Sequence, residues 1–438
     1  MQVTFMGEVL GALWIAVPVA VLFTVAEVLY RTGRVEVEYT RKLTHLGSGV
    51  VVLSMPWVVS THWSVLALSV GFVAVLVLTK WLGWLPSVHA VSRKTSGAQY
   101  YPIAVYGTYL LADGRPFFYM VPMMVMALAD TGAAVVGRRH AIVRYRVVED
   151  FRSLGGSLTF FGLTFGVVIV GLSLVSHGHL PTVLLVALLT SMVATAVEGI
   201  SVRGIDNLLV PYATWLVLDR TLGATRDGLG EWVLGATLVF ALLIMTFRQA
   251  RLTTTGFMAA FVAGFLAWGL GGPVWLATFL VPYAGFTASR PVTLSGTEGD
   301  LGIVVPAFLV PLALLLLHAH LPHPALFVPF LGAIAAISAT GLAGFLRSRF
   351  DSWVLEGVGA PLGAAVAFVP SLVLPSPLDA LGGASSVIAI VVGAGALLGP
   401  VVARVLLRHG ESKGLARLAG VLSGTAPSAV WAALHLHG

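Results

Sequence analysis

The chain contains no cysteine, which excludes disulfides and thiolate metal sites and leaves the compartment open. Charge is scarce as well: Asp, Glu, Lys and Arg make up only 10% of its 438 residues. Soluble globular chains carry roughly a quarter, so this one is built for a non-aqueous solvent. A cleavable leader is not evident either. The first apolar run, about Val9 to Tyr30, is too long for one and carries Glu27 near its end.

What is there is apolar. Hydrophobic residues make up 58% of the chain and mean hydropathy is +0.94. Runs long enough to cross a hydrocarbon core of ~30 Å recur from end to end. The 49 Gly and 22 Pro do not argue against helices, because in lipid they allow close packing and local breaks. The expected fold is an all-α polytopic transmembrane bundle in two halves. Its segments fall near 8–30, 43–60, 62–84, 100–112, 117–137, 155–175, 181–199 and 206–219 in the first half. In the second they fall near 230–247, 252–270, 273–288, 301–320, 325–345, 353–375, 385–405 and 417–436. That makes about 16 membrane segments of the required length.

A formal charge of +6 raises the question of nucleic acid, and the distribution of the charge answers it. Of the 25 Lys and Arg, 22 fall in loops that follow odd-numbered segments. Arg115, Arg220 and Arg226 are the three on the other side. Under the positive-inside rule this split places the odd-numbered exits in the cytosol and both termini outside. The expected partner is therefore a bilayer, in a prokaryotic plasma membrane, and not nucleic acid. A composition break near Asp219 to Gly228 divides the chain into expected domains 1–222 and 228–438. Ionisable residues cluster in the first. The segment 138–152, with Arg138, Arg139, His140, Arg144, Arg146, Glu149, Asp150 and Arg152, is the most charged of all.

Asp130 is the sharpest signal. It lies in Met123-Met124-Val125-Met126-Ala127-Leu128-Ala129-Asp130-Thr131-Gly132, about two turns, or ~12 Å, from Arg138. An acid there costs several kcal/mol unless paired, hydrated or metal-bound, so it is a functional candidate by default. The alternative is a structural pair with an Arg of a neighbouring helix. Ala129, Ala133 and Gly137 form a small-residue stripe beside it, as helix packing requires.

Arg41, Lys42 and His45 open the second helix, with Arg41 and His45 on one face. Cations have the wrong sign for a helix N-terminus, so a nearby anion would relieve both. Arg41 and Lys42 alone read as a cytosolic flank; His45, inside the apolar run, points to a site. Arg152-Ser153-Leu154-Gly155-Gly156-Ser157 combines an Arg, hydroxyls and glycines at a helix start, the makings of a phosphate cradle. The turn from Glu198 through Arg203 to Asp206 and Asn207 carries two acids at helix ends. Oxygen ligands beside phosphates suit Mg²⁺. Asp206 is equally a good N-cap, whereas Glu198 at a helix C-terminus is unfavourable without another role. Glu8, Glu27, Lys80, Trp57, Trp81 and Trp84 fit interface anchoring. His177, His179, His318, His320 and His323 do not make a convincing zinc set.

Taken in order, these motifs resemble a known family. They are Arg41-Lys42-Leu43-Thr44-His45; Gly97 with Tyr101-Pro102; Ala129-Asp130-Thr131-Gly132-Ala133-Ala134 with Gly137; Arg152 to Ser157; and Glu198 with Arg203-Gly204-Ile205-Asp206-Asn207-Leu208. Over about residues 20 to 220 the chain is similar to the phytol kinase and dolichol kinase family, within a superfamily of cytidylyltransferase-like membrane proteins. The resemblance implies CTP-dependent phosphorylation of a polyprenol-type lipid alcohol, with Mg²⁺, at the cytosolic face. It implies that Asp130, Glu198 and Asp206 hold the metal, with Asp130, His45 and Glu198 catalytic. Arg41, Lys42, Arg138, Arg139, Arg152, Ser153, Gly156, Ser157, Arg203 and Asn207 would hold the nucleotide. Two departures stand out: Arg152 where the family has Lys, and Gly155 where it has Glu. The related alternatives are cytidylyl transfer onto a phospholipid and a secondary transporter with two halves. From Arg251-Leu252-Thr253-Thr254-Thr255-Gly256 through Gly264 and Gly271-Gly272, the second half resembles a membrane family that includes phytyl-phosphate kinases. Its Asp-Thr motif has become Ala339-Thr340, so that half reads as degenerate or accessory.

Overall fold

The computed structural model describes residues 5–33, 35–90, 95–139, 143–148, 150–175, 179–223, 226–250, 252–293 and 301–436. His140, Glu149, His177 and Arg251 lie outside the described residues. The chain forms two compact units, Met1–Leu229 and Gly230–Gly438.

With no water in the hydrocarbon core, every backbone N–H and C=O must be paired within its own segment, and helices follow. The first unit runs α1 (Phe5–Arg31), α2 (Val37–Val52), α3 (Met55–Val58), α4 (His62–Trp81), α5 (Pro86–His89), α6 (Gly97–Ala112), α7 (Pro116–Met124) and α8 (Asp130–Arg139). A hairpin of β1 (Arg144–Val147) and β2 (Asp150–Ser153) comes next, then α9 (Leu154–Val175), α10 (Leu180–Ile200) and α11 (Asp206–Leu222). The second unit holds α12 (Arg226–Ala250), α13 (Thr254–Leu266), α14 (Pro273–Thr293) and α15 (Leu301–His320). It ends with α16 (Phe327–Phe350), α17 (Trp353–Val373), α18 (Ser385–Arg408) and α19 (Lys413–His435).

The segments expected from hydropathy overlap helices, with 43–60 divided between α2 and α3 and 117–137 between α7 and α8. Among the described residues, ten helices are long and apolar enough to cross a membrane, and Pro273–Gly285 and Phe308–His320 are shorter apolar ones. Helices α2 and α6, with 16 residues each, and α11, with 17, are too short to count among the ten. The protein is an all-α polytopic membrane protein. Its apolar surface agrees: Trp14, Trp57, Trp63 and Trp81 are exposed, as side chains facing lipid are.

Two local features position the first unit's polar residues. Pro122, inside α7, lacks the N–H that would continue the helical ladder. A π-helical turn, Val125–Ala129, follows within one turn, and Asp130 begins α8 directly after it. Such single π turns are a recurrent companion of functional residues. The second feature is α10, whose span is 61% buried against 22% for α1, α4 and α9. It packs between α9 and α11, which carries Glu198 into the interior of the unit.

In the second unit the helices approach through small residues. Gly363 of α17 sits so close to Ser338 and Ala339 of α16 that a Cβ on it would come within 2.5 Å of the Ser338 carbonyl oxygen. Ala339 is fully buried. The close approach of Gly363 leaves little room for a larger side chain at Ala339.

Candidate active site

Asp130 is held at the start of α8 by two side chains of α2. Lys42 Nζ donates to Asp130 Oδ2 at 2.5 Å and to its backbone carbonyl at 3.3 Å. His45 Nε2 lies 3.5 Å from the same carboxylate oxygen and 3.3 Å from the carbonyl of Met126, within the π turn. Both neighbours of Nε2 are acceptors, so this nitrogen carries the proton and Nδ1 is left as the basic one. The edge of the His45 ring rests on Tyr101, with centroids 4.9 Å apart. Lys42 and Asp130 are almost wholly buried, 9% and 15% exposed at the side chain. The intramembrane acid therefore does have a structural partner, a Lys where an Arg had been the alternative.

A second set of ion pairs surrounds this one. Glu38, in the first turn of α2, pairs with Arg41 at 2.5 Å and with Arg138 of α8 at 3.3 Å. Arg152, at the end of β2, pairs with Glu198 of α10 and, at 3.2 Å, with Asp206 of α11. Its guanidinium also donates to the Ser201 carbonyl at 3.0 Å. One planar fork thus ties together three elements, as only an arginine can. The turn between α10 and α11 is locked onto α6. Arg203 and Gly204 adopt φ of 53° and 85°, Ser96 donates to the Arg203 carbonyl at 3.0 Å, and Asn207 Nδ2 donates to the Gly97 carbonyl at 2.8 Å. A Cβ on Gly204 would come within 2.5 Å of Gly97 N, so both the backbone angle and the contact demand glycine.

Two cavities meet here. The larger, about 600 Å³, has a greasy wall that includes Ile15, Val19, Phe23, Leu68, Phe72 and Leu76, and a polar end that includes Arg41 and His45. The smaller is polar and is lined by Arg41, Lys42, Arg152 and Arg203 together with Asp130, Asp150 and Asp206. Arg41, Thr95 and Arg203 line both. His89 also lines the large cavity and is hydrogen-bonded to Thr79 at 3.1 Å. Burial, and then the charge of Lys80, push the His89 imidazole below its ordinary pKa. Lys80 itself donates to the Thr95 carbonyl at 3.0 Å and lines the cavity, a more specific placement than an interface anchor.

A phytol kinase from Synechocystis sp. is 35% identical to this chain over 214 residues, which make up 91% of that protein and 47% of this one. The chain belongs to the phytol kinase family. No family profile and no solved structure matches it.

Of the residues singled out by sequence, this member of the phytol kinase family brings Arg41, Lys42, His45, Asp130, Arg152, Arg203, Asp206 and Asn207 to the two cavities. Others it uses differently. The Ser153 hydroxyl bonds the Gly137 carbonyl and accepts from Gly156 N at 3.1 Å, capping α9. Gly156 and Gly137 face each other so closely that a Cβ on either would lie 3.4 Å from the other's Cα, and the buried Ser157 is hydrogen-bonded to Tyr145 at 2.8 Å. Burial outweighs that bond and raises the Tyr145 pKa above the ordinary phenol range. Residues 153–157 thus build a helix contact and do not line the polar cavity. Arg139 is exposed at the end of α8. Glu198 is drawn to Arg152, its Oε2 buried without a hydrogen-bond partner, and it does not line the polar cavity. Asp206 does not cap α11 from outside: it is the first helical residue and is held by Arg152. Asp150 and Glu38 were not singled out, because each was one charge in a charged segment.

Proposed function

We propose that this chain is a lipid-alcohol kinase that transfers the γ-phosphoryl group of CTP to the hydroxyl of an isoprenoid alcohol at the cytosolic membrane face. The observation that carries the reading is the buried Lys42–Asp130–His45 cluster, set where a lipid-sized cavity meets a small cavity lined by four cations. Membership of the phytol kinase family supports the reaction class, and the ordered motifs support CTP as donor.

In this reading the alcohol's hydrocarbon lies along the greasy wall of the large cavity and its hydroxyl reaches the polar end at His45. The cavity's volume is within the ~300–1,000 Å³ that encloses small ligands, which favours phytol or geranylgeraniol over a dolichol. Arg41, Lys42, Arg152 and Arg203 take the phosphates, and the first three exchange their present carboxylate partners for phosphate oxygens. The alcohol oxygen attacks the γ-phosphorus while its proton passes to His45 Nδ1. Asp130 stabilises the imidazolium through Nε2–H, as the carboxylate of a catalytic triad does. The bond from the γ-phosphorus to the β,γ-bridging oxygen breaks, and the electron pair leaves with CDP. Positioning and charge neutralisation supply most of the rate in such transfers.

Among the described residues no group of three or more His, Asp or Glu makes a metal cage. Mg²⁺ usually takes one or two carboxylates and completes its shell with phosphate oxygens and water. Asp130, Asp150 and Asp206 around one cavity fit an ion that arrives with the nucleotide. When bound, it would offset charge on the β- and γ-phosphates. Purified protein assayed with CTP against ATP over farnesol, geranylgeraniol, phytol and dolichol tests the proposal. The expected result is a phosphorylated C15–C20 alcohol with release of CDP. Release of pyrophosphate, or no transfer to any alcohol, would overturn it.

A further inference from the structure

The hairpin between α8 and α9 has two chemically distinct faces. Its register pairs Tyr145 with Arg152 and Val147 with Asp150, and pairs Arg146 with Phe151 and Arg144 with Ser153. Residues directly opposite each other share a face, and neighbours along a strand point to opposite faces. The inner face holds the buried Tyr145 and Val147 with Asp150 and Arg152, and those last two line the polar cavity. The outer face presents the exposed Arg144 and Arg146, and Phe151 at 67% exposure, with only Ser153, at its base, buried against Gly137. At the tip stands Val148, also exposed, in the left-handed region at φ 54°.

An aromatic ring left in water beside two arginines is uneconomical on a protein with so little charge, and the location supplies a reason. The strands are four residues each, and they follow α8 and precede α9, which belong to apolar spans ending at Arg139 and starting at Leu154. The hairpin is thus tethered at both ends to the membrane surface and cannot reach far from it. Exposed Arg with an exposed aromatic and an aliphatic tip is the composition of an interfacial anchor on anionic lipid.

We propose that the outer face of this hairpin docks on the anionic headgroups of the inner leaflet, with Phe151 and Val148 entering the interface. The consequence for the site is direct. Phe151 and Arg152 are adjacent on one strand, so seating the first in the bilayer holds the second over Glu198 and Asp206. The hairpin thereby couples lipid contact to the geometry of the polar cavity.

Because the chain has no cysteine, Val148→Cys in the full-length protein gives a single thiol for an environment-sensitive fluorophore. In vesicles of phosphatidylcholine with increasing phosphatidylglycerol, the expected result is quenching by headgroup-proximal spin-labelled lipid that rises with anionic content. Arg144→Gln with Arg146→Gln should weaken that dependence by roughly fivefold per arginine, and Phe151→Ser should reduce quenching at every composition. A probe equally unquenched at all compositions, or insensitive to these substitutions, would overturn the proposal. The same result would arise if the face binds a soluble protein. This readout needs no turnover, so it stands apart from the kinase reading; stimulation of wild-type turnover by phosphatidylglycerol, lost in Phe151→Ser, tests the coupling.

Discussion

Lys42 and Asp130 are 88 positions apart in the chain and share one short ion pair almost sealed from solvent. Breaking such a pair on one side leaves the other charge buried alone. Lys42→Met or Asp130→Asn should therefore each lower stability by about 3–5 kcal/mol. The double variant, which leaves no uncompensated charge, should regain most of that while remaining inactive; thermal unfolding in detergent reads both. His45→Ala should lower turnover roughly 10²–10⁴-fold with little change in nucleotide affinity, because its contacts are to Asp130 and the Met126 carbonyl. A parallel loss of nucleotide binding would contradict that role.

At the scale of elements, the turn from α10 to α11 depends on Gly204. Gly204→Ala meets both the positive φ and the contact with Gly97, so a cost of about 1–3 kcal/mol is expected from strain, measured by denaturant or heat. Tyr145→Phe removes the buried bond to Ser157 and should cost about 1 kcal/mol. Much of this level was legible in advance. Hydropathy located the helices because lipid imposes one rule on every segment, and Asp130 stood out because an acid in an apolar helix has few innocent explanations. The hairpin did not show. Arg144-Tyr145-Arg146-Val147 does alternate, but over four residues inside a charged loop the pattern is too short to separate from chance. Nor could Ser153, Gly156 and Ser157 be told from a phosphate cradle, since glycines and hydroxyls at a helix start serve close packing equally well. The partners of Arg152 were invisible for a different reason: Glu198 and Asp206 meet it only after α9 and α10 have folded back.

For the whole molecule, the asymmetry of Lys and Arg makes a prediction about sidedness. Single cysteines in the cysteine-free chain should be labelled by an impermeant maleimide from the cytosolic side at Arg139, exposed at the end of α8, and from the outer side at Asp113, at the α6–α7 turn. Labelling of both from one side would overturn the topology. The second unit, with its close Gly and Ala contacts, carries no equivalent of the Lys42–Asp130 cluster among the described residues, so substitutions there should act on stability more than on turnover. The central claim is that a buried carboxylate and its histidine join a lipid alcohol to a nucleotide. Its most direct test is single-turnover transfer from γ-phosphate-labelled CTP to geranylgeraniol, with wild type and Asp130→Asn shown to be equally folded. The account predicts a labelled lipid phosphate from the wild type and a rate lowered at least a hundredfold in the variant. Equal rates from the two proteins would contradict it.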